Sequence, residues 1–315
     1  MAGAGGSVLI IHPGALGDVL LALPAIAHLA RVRPGARRVL ATAPRLAALL
    51  ADSACVEATG ALDALGLHRL FTVDGDAAVL ARLAAHDTIV SWLGAGDPVF
   101  RAHLASLDGA DPRRVLLARG TPDPRAARHA AWHFLDTLAP LGPPPEALPP
   151  VRLAATPAER SWAAAWLEGR AIAAGPVVLQ PGAGSPVKVW PGMAALGQRL
   201  VARGLPVVAV TGPAEAAVAF PGAHVAHDLT LRQLVALFER AAVVVGHDSG
   251  LTHLAALVGG PTVALFGPTD PAIWAPVGPA VTVLAGAGSR ESDPWRGLDP
   301  DRVERWVLDR AAAVA

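Results

Sequence analysis

A protein of two doubly wound α/β domains is what this sequence predicts, on three observations. Short apolar runs alternate with longer segments of helical spacing along the 315 residues, the pattern of βα units feeding a parallel sheet. A chain of that length exceeds the usual span of one core, and two domains of about 150 residues are the natural division. Between Pro140 and Pro150 the chain reads PLGPPPEALPP, which fits neither a helix nor a central strand, so the boundary belongs there, giving 1–145 and 146–315. With 53% hydrophobic and 17% charged residues, many strands must be covered on both faces, which favours α/β over a sandwich or a bundle.

In the first half the strands read as Val8 to Ile11, Arg38 to Ala41, Leu70 to Val73, Thr88 to Trp92 and Val115 to Leu117. The first helix, from about Gly17 to Arg31, places Val19, Leu20, Leu23, Ile26, Ala27 and Ala30 at helical spacing, with Pro24 set to bend it. After the linker, Thr156-Pro-Ala-Glu159 is a capping box that opens a new helix. Strands follow at Val177 to Leu179, Val207 to Thr211, Val243 to Val245 and Thr262 to Phe266, and a second capping box stands at Thr230-Leu-Arg-Gln233. The last helix starts at Asp299-Pro300 with Val303, Trp306 and Val307 on one face, and is a candidate to pack back on the first domain. Paired doubly wound domains predict a cleft where ligands meet the carboxyl ends of strands.

Composition removes several classes of function. Twenty-six basic and 26 acidic residues balance to a net charge of 0 without a long basic run, which argues against a nucleic-acid partner. The single cysteine, Cys55, reads as a core thiol. Pro13 and Asp18 interrupt the apolar N-terminal stretch where a signal peptide needs continuity, and no window of about 20 apolar residues is free of charge and proline. A cytoplasmic protein is expected, and peripheral contact with the inner membrane surface is compatible with it. One count is sharper: 25 of the 26 basic residues are arginine, and Lys188 is the one lysine. A site built for a compact ammonium does not accept a planar guanidinium.

Three constellations carry chemistry. The first, His12-Pro-Gly-Ala-Leu-Gly-Asp18, is a turn between strand and helix whose Gly14 and Gly17 allow close approach of a ligand. Asp18 reads either as an acid favoured in a first helical turn or as a general base. His12 reads either as a ligand-facing base or as a strand-end histidine. The second, Gln180-Pro-Gly-Ala-Gly-Ser-Pro-Val-Lys188-Val-Trp-Pro191, offers Gly182, Gly184, Ser185 and a cation to phosphate oxygens. The third, Gly246-His-Asp-Ser-Gly-Leu-Thr-His253, gathers Asp248, Ser249, Gly250, Leu251, Thr252 and His253 at a helix start, as an anion site or as plain capping. It is not a nucleophile elbow, which needs serine where Asp248 stands. Asp74-Gly-Asp76 mimics a metal-binding D-x-D but reads as a turn and helix cap.

Together these segments resemble glycosyltransferase family 9, the heptosyltransferase family. The matching residues are Gly14-Ala-Leu-Gly-Asp18 with Pro24, Pro181-Gly-Ala-Gly184 with Lys188-Val-Trp-Pro191, Asp248-Ser-Gly-Leu-Thr-His-Leu-Ala255 and Phe266-Gly-Pro-Thr-Asp-Pro271. The resemblance implies a GT-B fold of two Rossmann-like domains, the first for the acceptor and the second for a nucleotide sugar. It implies inverting transfer, with heptose from ADP-heptose as the donor, onto a cell-envelope glycan or the lipopolysaccharide core, without a metal or other cofactor. By it Asp18 is the base, Lys188 neutralises the diphosphate, Asp248 to Thr252 hold phosphates and sugar, and Glu215 contacts the ribose. His12-Pro13 depart from the family, most of whose members have a basic residue followed by a small or apolar one. Two rivals share the nucleotide half: a sugar-nucleotide epimerase or hydrolase, which makes no glycoside, and a non-catalytic binder, against which an intact Asp18 argues.

Overall fold

The computed structural model describes residues 6–109, 111, 113–123, 125, 127–172, 175–212, 220–288 and 292–312. The chain forms two compact units that divide between Val151 and Arg152, at the end of the proline-rich segment. In the first unit β1 (Ser7–Ile11), α1 (Leu16–Val32), β2 (Arg37–Thr42), α2 (Pro44–Leu50), β3 (Ala58–Ala61), α3 (Ala77–Ala84), β4 (Thr88–Ser91), α4 (Pro98–Ala105), β5 (Val115–Leu117) and α5 (Ala130–Asp136) follow one another. Their strands form a parallel sheet in the order β3-β2-β1-β4-β5. Val8 to Ile11 are at most 1% exposed, as a central parallel strand covered on both faces requires. α1 runs on through Pro24, with Val19 to Ile26 buried without interruption.

The second unit contains α6 (Pro157–Glu168), β6 (Val177–Gln180), α7 (Met193–Ala202), β7 (Val207–Thr211), β8 (His224–His227), α8 (Leu231–Arg240), β9 (Val243–His247), α9 (Gly250–Val258), β10 (Thr262–Phe266), α10 (Pro271–Trp274), β11 (Val281–Ala285) and α11 (Pro300–Ala312). Its parallel sheet has the order β11-β10-β9-β6-β7-β8. Both capping boxes form, Thr156 with Glu159 on α6 and Thr230 with Gln233 on α8. In each sheet the strand order reverses beside the first strand of the unit, between β1 and β4 and between β6 and β9. Loops leaving the carboxyl ends of strands at such a reversal diverge and leave room for a ligand.

One expectation needs correction. Leu70 to Val73 is not a strand: Leu67–Phe71 forms a 3-10 turn that buries Leu67 and Leu70, stacks Phe71 on Phe100 at 4.6 Å and leaves Val73 83% exposed. The third strand is Ala58–Ala61, an edge strand that needs no apolar run because one side of it is uncovered. The last helix packs on α7 and β9 of its own unit. Val303 and Val307 of α11 lie in the second unit's core, and Glu304 accepts from Arg199 of α7 and from Arg203, which ends that helix. Cys55 is buried, and burial pushes its thiol up to about 11, so it is inert packing. Among the described residues no helix is long and apolar enough to cross a membrane.

Candidate functional site

The turn after β1 is wired from within. His12 Nδ1 accepts the N–H of Gly14 at 3.1 Å, and Asp18 Oδ2 accepts the N–H of Ala15 at 3.2 Å. Gly14 is dictated by space, since a Cβ there would lie 2.6 Å from His12 Cε1 and 2.8 Å from Asp18 Cβ. Asp18 and Gly17 are half-buried in the first turn of α1. His12 is fully buried between Trp92 and Phe134, whose ring centroids lie 5.2 and 5.3 Å away. Burial pushes its imidazole down to about 3, so it is neutral at physiological pH and sits at the strand end as part of the turn.

That neutrality makes a measurable prediction. The unfolded chain binds a proton at His12 below about pH 6.5, whereas the folded chain does not until about pH 3. Stability therefore falls as pH drops through this window, by up to about 1.4 kcal/mol per pH unit from this group. Denaturant titrations of wild type and His12→Asn between pH 7 and 4 should show a shallower decline for the variant, by about one proton. Parallel curves would contradict the burial argument.

The second unit assembles the other two constellations at its switch point. β6 and β9 are hydrogen-bonded neighbours with Gln180 opposite Gly246, so the Gly-rich loop after Gln180 and the start of α9 emerge side by side. Side chains stitch them together. Gln180 Nε2 donates to the Gly182 carbonyl, Ser249 Oγ donates to Gln180 Oε1 at 2.8 Å, and Thr252 Oγ1 donates to the His247 carbonyl at 2.6 Å. A Cβ at Gly246 would collide with Thr252 Oγ1. His247 staples the loop from beneath: its Nδ1 donates to Gly182 O at 3.2 Å and its Nε2 accepts the Trp190 N–H at 3.0 Å. Burial lowers this imidazole to about 4 against the opposing pull of the Gly182 carbonyl, which agrees with the neutral tautomer that both bonds require.

Lys188 closes the loop in a 3-10 turn (Pro186–Lys188) and reaches Asp248, with Nζ 2.7 Å from Oδ2. His253 Nε2 lies 3.7 Å from the other carboxylate oxygen. Burial pushes the Asp248 carboxyl up, but hydrogen bonds from His253 and Lys188 and the lysine charge outweigh it and hold the group at about 2. Asp248 is therefore ionised throughout the neutral range. Ser249 precedes α9, yet its hydroxyl does not cap that helix, so Gly250 and Leu251 begin it without a side-chain cap. Gly184 has open space where a Cβ would be, so no steric demand within the chain calls for glycine there.

A sequence profile of glycosyltransferase family 9 (heptosyltransferase) matches residues 121–294, more than half of the chain. The chain belongs to glycosyltransferase family 9. Lipopolysaccharide heptosyltransferase 3 of Escherichia coli is 34% identical over 113 residues, a match that spans 32% of this chain and 33% of that protein. The chain thus matches only about a third of that relative's length. Two solved structures share the fold: a family 9 glycosyltransferase from Veillonella parvula, with TM-score 0.78, 19% identity and 98% of each chain covered, and E. coli ADP-heptose lps heptosyltransferase II, with TM-score 0.74, 20% identity and 98% and 99% covered. Both likenesses agree with the GT-B architecture of two doubly wound units in this chain.

Within this family 9 chain the structure unites Gly182, Ser185, Lys188, Asp248, Ser249, Thr252 and His253 in the second unit, and His12, Gly14 and Asp18 in the first. Glu215 lies outside the described residues. Asp76 of the D-x-D caps α3 through the amides of Ala78 and Val79 and pairs with Arg69. Sequence reasoning passed over Gln180, Trp190 and His247 as contributors to the site. The available signal was a polar residue ending each of two apolar strands, Gln180 after Leu179 and His247 after Gly246.

Proposed function

We propose that this protein is an inverting glycosyltransferase that moves heptose from ADP-heptose onto a hydroxyl of a cell-envelope glycan or the lipopolysaccharide core, without a metal ion. The observation that carries the reading is the Lys188–Asp248 pair beside the uncapped start of α9, at the switch point of the second unit. An ammonium has three donors. One is on Asp248, and the remaining two suit the oxygens of a diphosphate, with amides at the helix start adding dipole and donors. As the nucleoside diphosphate leaves, the charge that develops on it is met by groups already in place. Asp18 in the first unit takes the proton of the attacking acceptor hydroxyl. Attack opposite the leaving group inverts the anomeric centre.

Membership of the heptosyltransferase family and the likeness to an E. coli ADP-heptose heptosyltransferase support this donor and acceptor. Incubation with ADP-heptose and a heptose-deficient lipopolysaccharide core, followed by mass spectrometry, should give a glycoside one heptose heavier together with ADP. Free heptose and ADP without a glycoside would identify a hydrolase instead. Because Lys188 and amides hold the phosphates, ADP affinity measured by calorimetry should be unchanged by excess EDTA. A loss of affinity restored by magnesium or manganese would reject the metal-free reading.

A further inference from the structure

We propose that His12 is a positioning residue for Asp18, an uncharged acceptor that fixes the turn from which the carboxylate acts. Its functional meaning rests on the reading of Asp18 as the base. The ring is fully buried against Trp92 and Phe134, and Trp92 is itself held by a hydrogen bond from Nε1 to Thr137 Oγ1 at 3.1 Å. Since Nδ1 accepts the Gly14 N–H, the single proton of the neutral ring is on Nε2, and that nitrogen is buried with no hydrogen-bond partner among the described residues. A buried unmatched donor is costly, and phenylalanine would fill the same aromatic space without it. What histidine supplies and phenylalanine does not is the acceptor for Gly14.

That acceptor bears directly on Asp18. Gly14 stands between the two side chains, in contact range of both the His12 ring and Asp18 Cβ, and the next amide, that of Ala15, donates to the Asp18 carboxylate. His12 thus fixes the residue before the one that holds the base. Its neutrality matters as well as its shape. A cation at this position would stand beside Asp18 and weaken it as a base, because a neighbouring positive charge favours the ionised carboxylate. With a neutral ring the turn is held without that penalty.

The test uses the full-length chain and nuclear magnetic resonance. In the wild type at pH 7, the 15N shifts of His12 should report an unprotonated Nδ1 and a protonated Nε2. The 13C carboxyl signal of Asp18, assigned by its loss in Asp18→Asn, gives the titration midpoint of that group. His12→Phe removes the Gly14 acceptor, loosens the Ala15 bond that favours the charged carboxylate, and should raise the midpoint. His12→Asn offers an oxygen near the former Nδ1 and should keep the midpoint near the wild-type value. The dispersion of the first unit's amide signals serves as the fold control, and ADP binding, a property of the second unit, should be the same in all variants. If His12→Phe fails to fold, Gly14→Ala strains the same contact from the other side and should shift the midpoint too. A wild-type imidazolium, an Nδ1–H tautomer, or an Asp18 midpoint indifferent to His12→Phe would overturn the proposal. Full transfer activity in Asp18→Asn would instead remove the base assignment and leave the measured coupling standing.

Discussion

Asp18→Asn is expected to lower sugar transfer by about 10²- to 10⁴-fold while leaving ADP affinity within about threefold of the wild type. The amide keeps the size of the carboxylate and an oxygen for the Ala15 N–H, which now reaches Oδ2 at 3.2 Å, so the turn has the means to persist. What disappears is the proton acceptor. A positioned base contributes roughly 3 to 5 kcal/mol to the barrier, the energetic equivalent of that rate loss. If Asp18 served only as an acid at the start of α1, the cost would appear as about 0.3 to 1 kcal/mol of stability, with transfer nearly intact. Paired measurements of turnover and thermal midpoint on one preparation decide between the two. An early-melting variant with near-normal transfer would remove Asp18 from the mechanism.

The places of both candidate clusters, one in each unit, were legible in the sequence because the switch points of doubly wound sheets are built from buried strands. Val8 to Ile11, Val177 to Leu179 and Val243 to Val245 are continuous apolar runs, and the glycines and charges that follow each are necessarily at its carboxyl end. Two edge strands escaped for the opposite reason. Ala58–Ala61 and His224–His227 are covered on fewer sides, carry no such run, and acquire their strand character from the neighbour they pair with. The turn at Leu67–Phe71 was misread because Leu70-Phe-Thr-Val73 has the β-branched and aromatic content of a strand, while burial of Leu67 and Leu70 three residues apart decided for a turn. Chemistry was less legible than place. No spacing rule says that His12 is neutral, that His247 is a staple, or that Lys188 is already engaged with Asp248, since each depends on neighbours distant in sequence.

That engagement sharpens the second large effect. Lys188→Ala should weaken ADP binding by far more than AMP binding, and by more than one lost contact would suggest. Removing the ammonium forfeits a charged hydrogen bond to phosphate, about 1.5 to 3 kcal/mol. It also strands Asp248, 8% exposed, as a carboxylate without its cation at the place proposed for the diphosphate. Breaking a fully buried pair from one side costs about 3 to 5 kcal/mol, and this pair, with the lysine side chain 28% exposed, costs less. Part of that penalty relaxes as the Asp248 carboxyl rises from about 2 toward its ordinary range, and part remains as repulsion of the ligand. Calorimetry should therefore find an ADP affinity lowered by about 10²-fold or more, since each 1.4 kcal/mol is tenfold. The double variant Lys188→Ala with Asp248→Asn should recover part of the loss by removing the stranded charge, a coupling that a double-mutant cycle measures directly. Lys188→Arg should rescue incompletely, because the planar guanidinium cannot direct donors to carboxylate and diphosphate as a rotating ammonium does. Equal losses for ADP and AMP, or a double variant no better than Lys188→Ala alone, would mean that Lys188 supports the loop after β6 rather than the diphosphate.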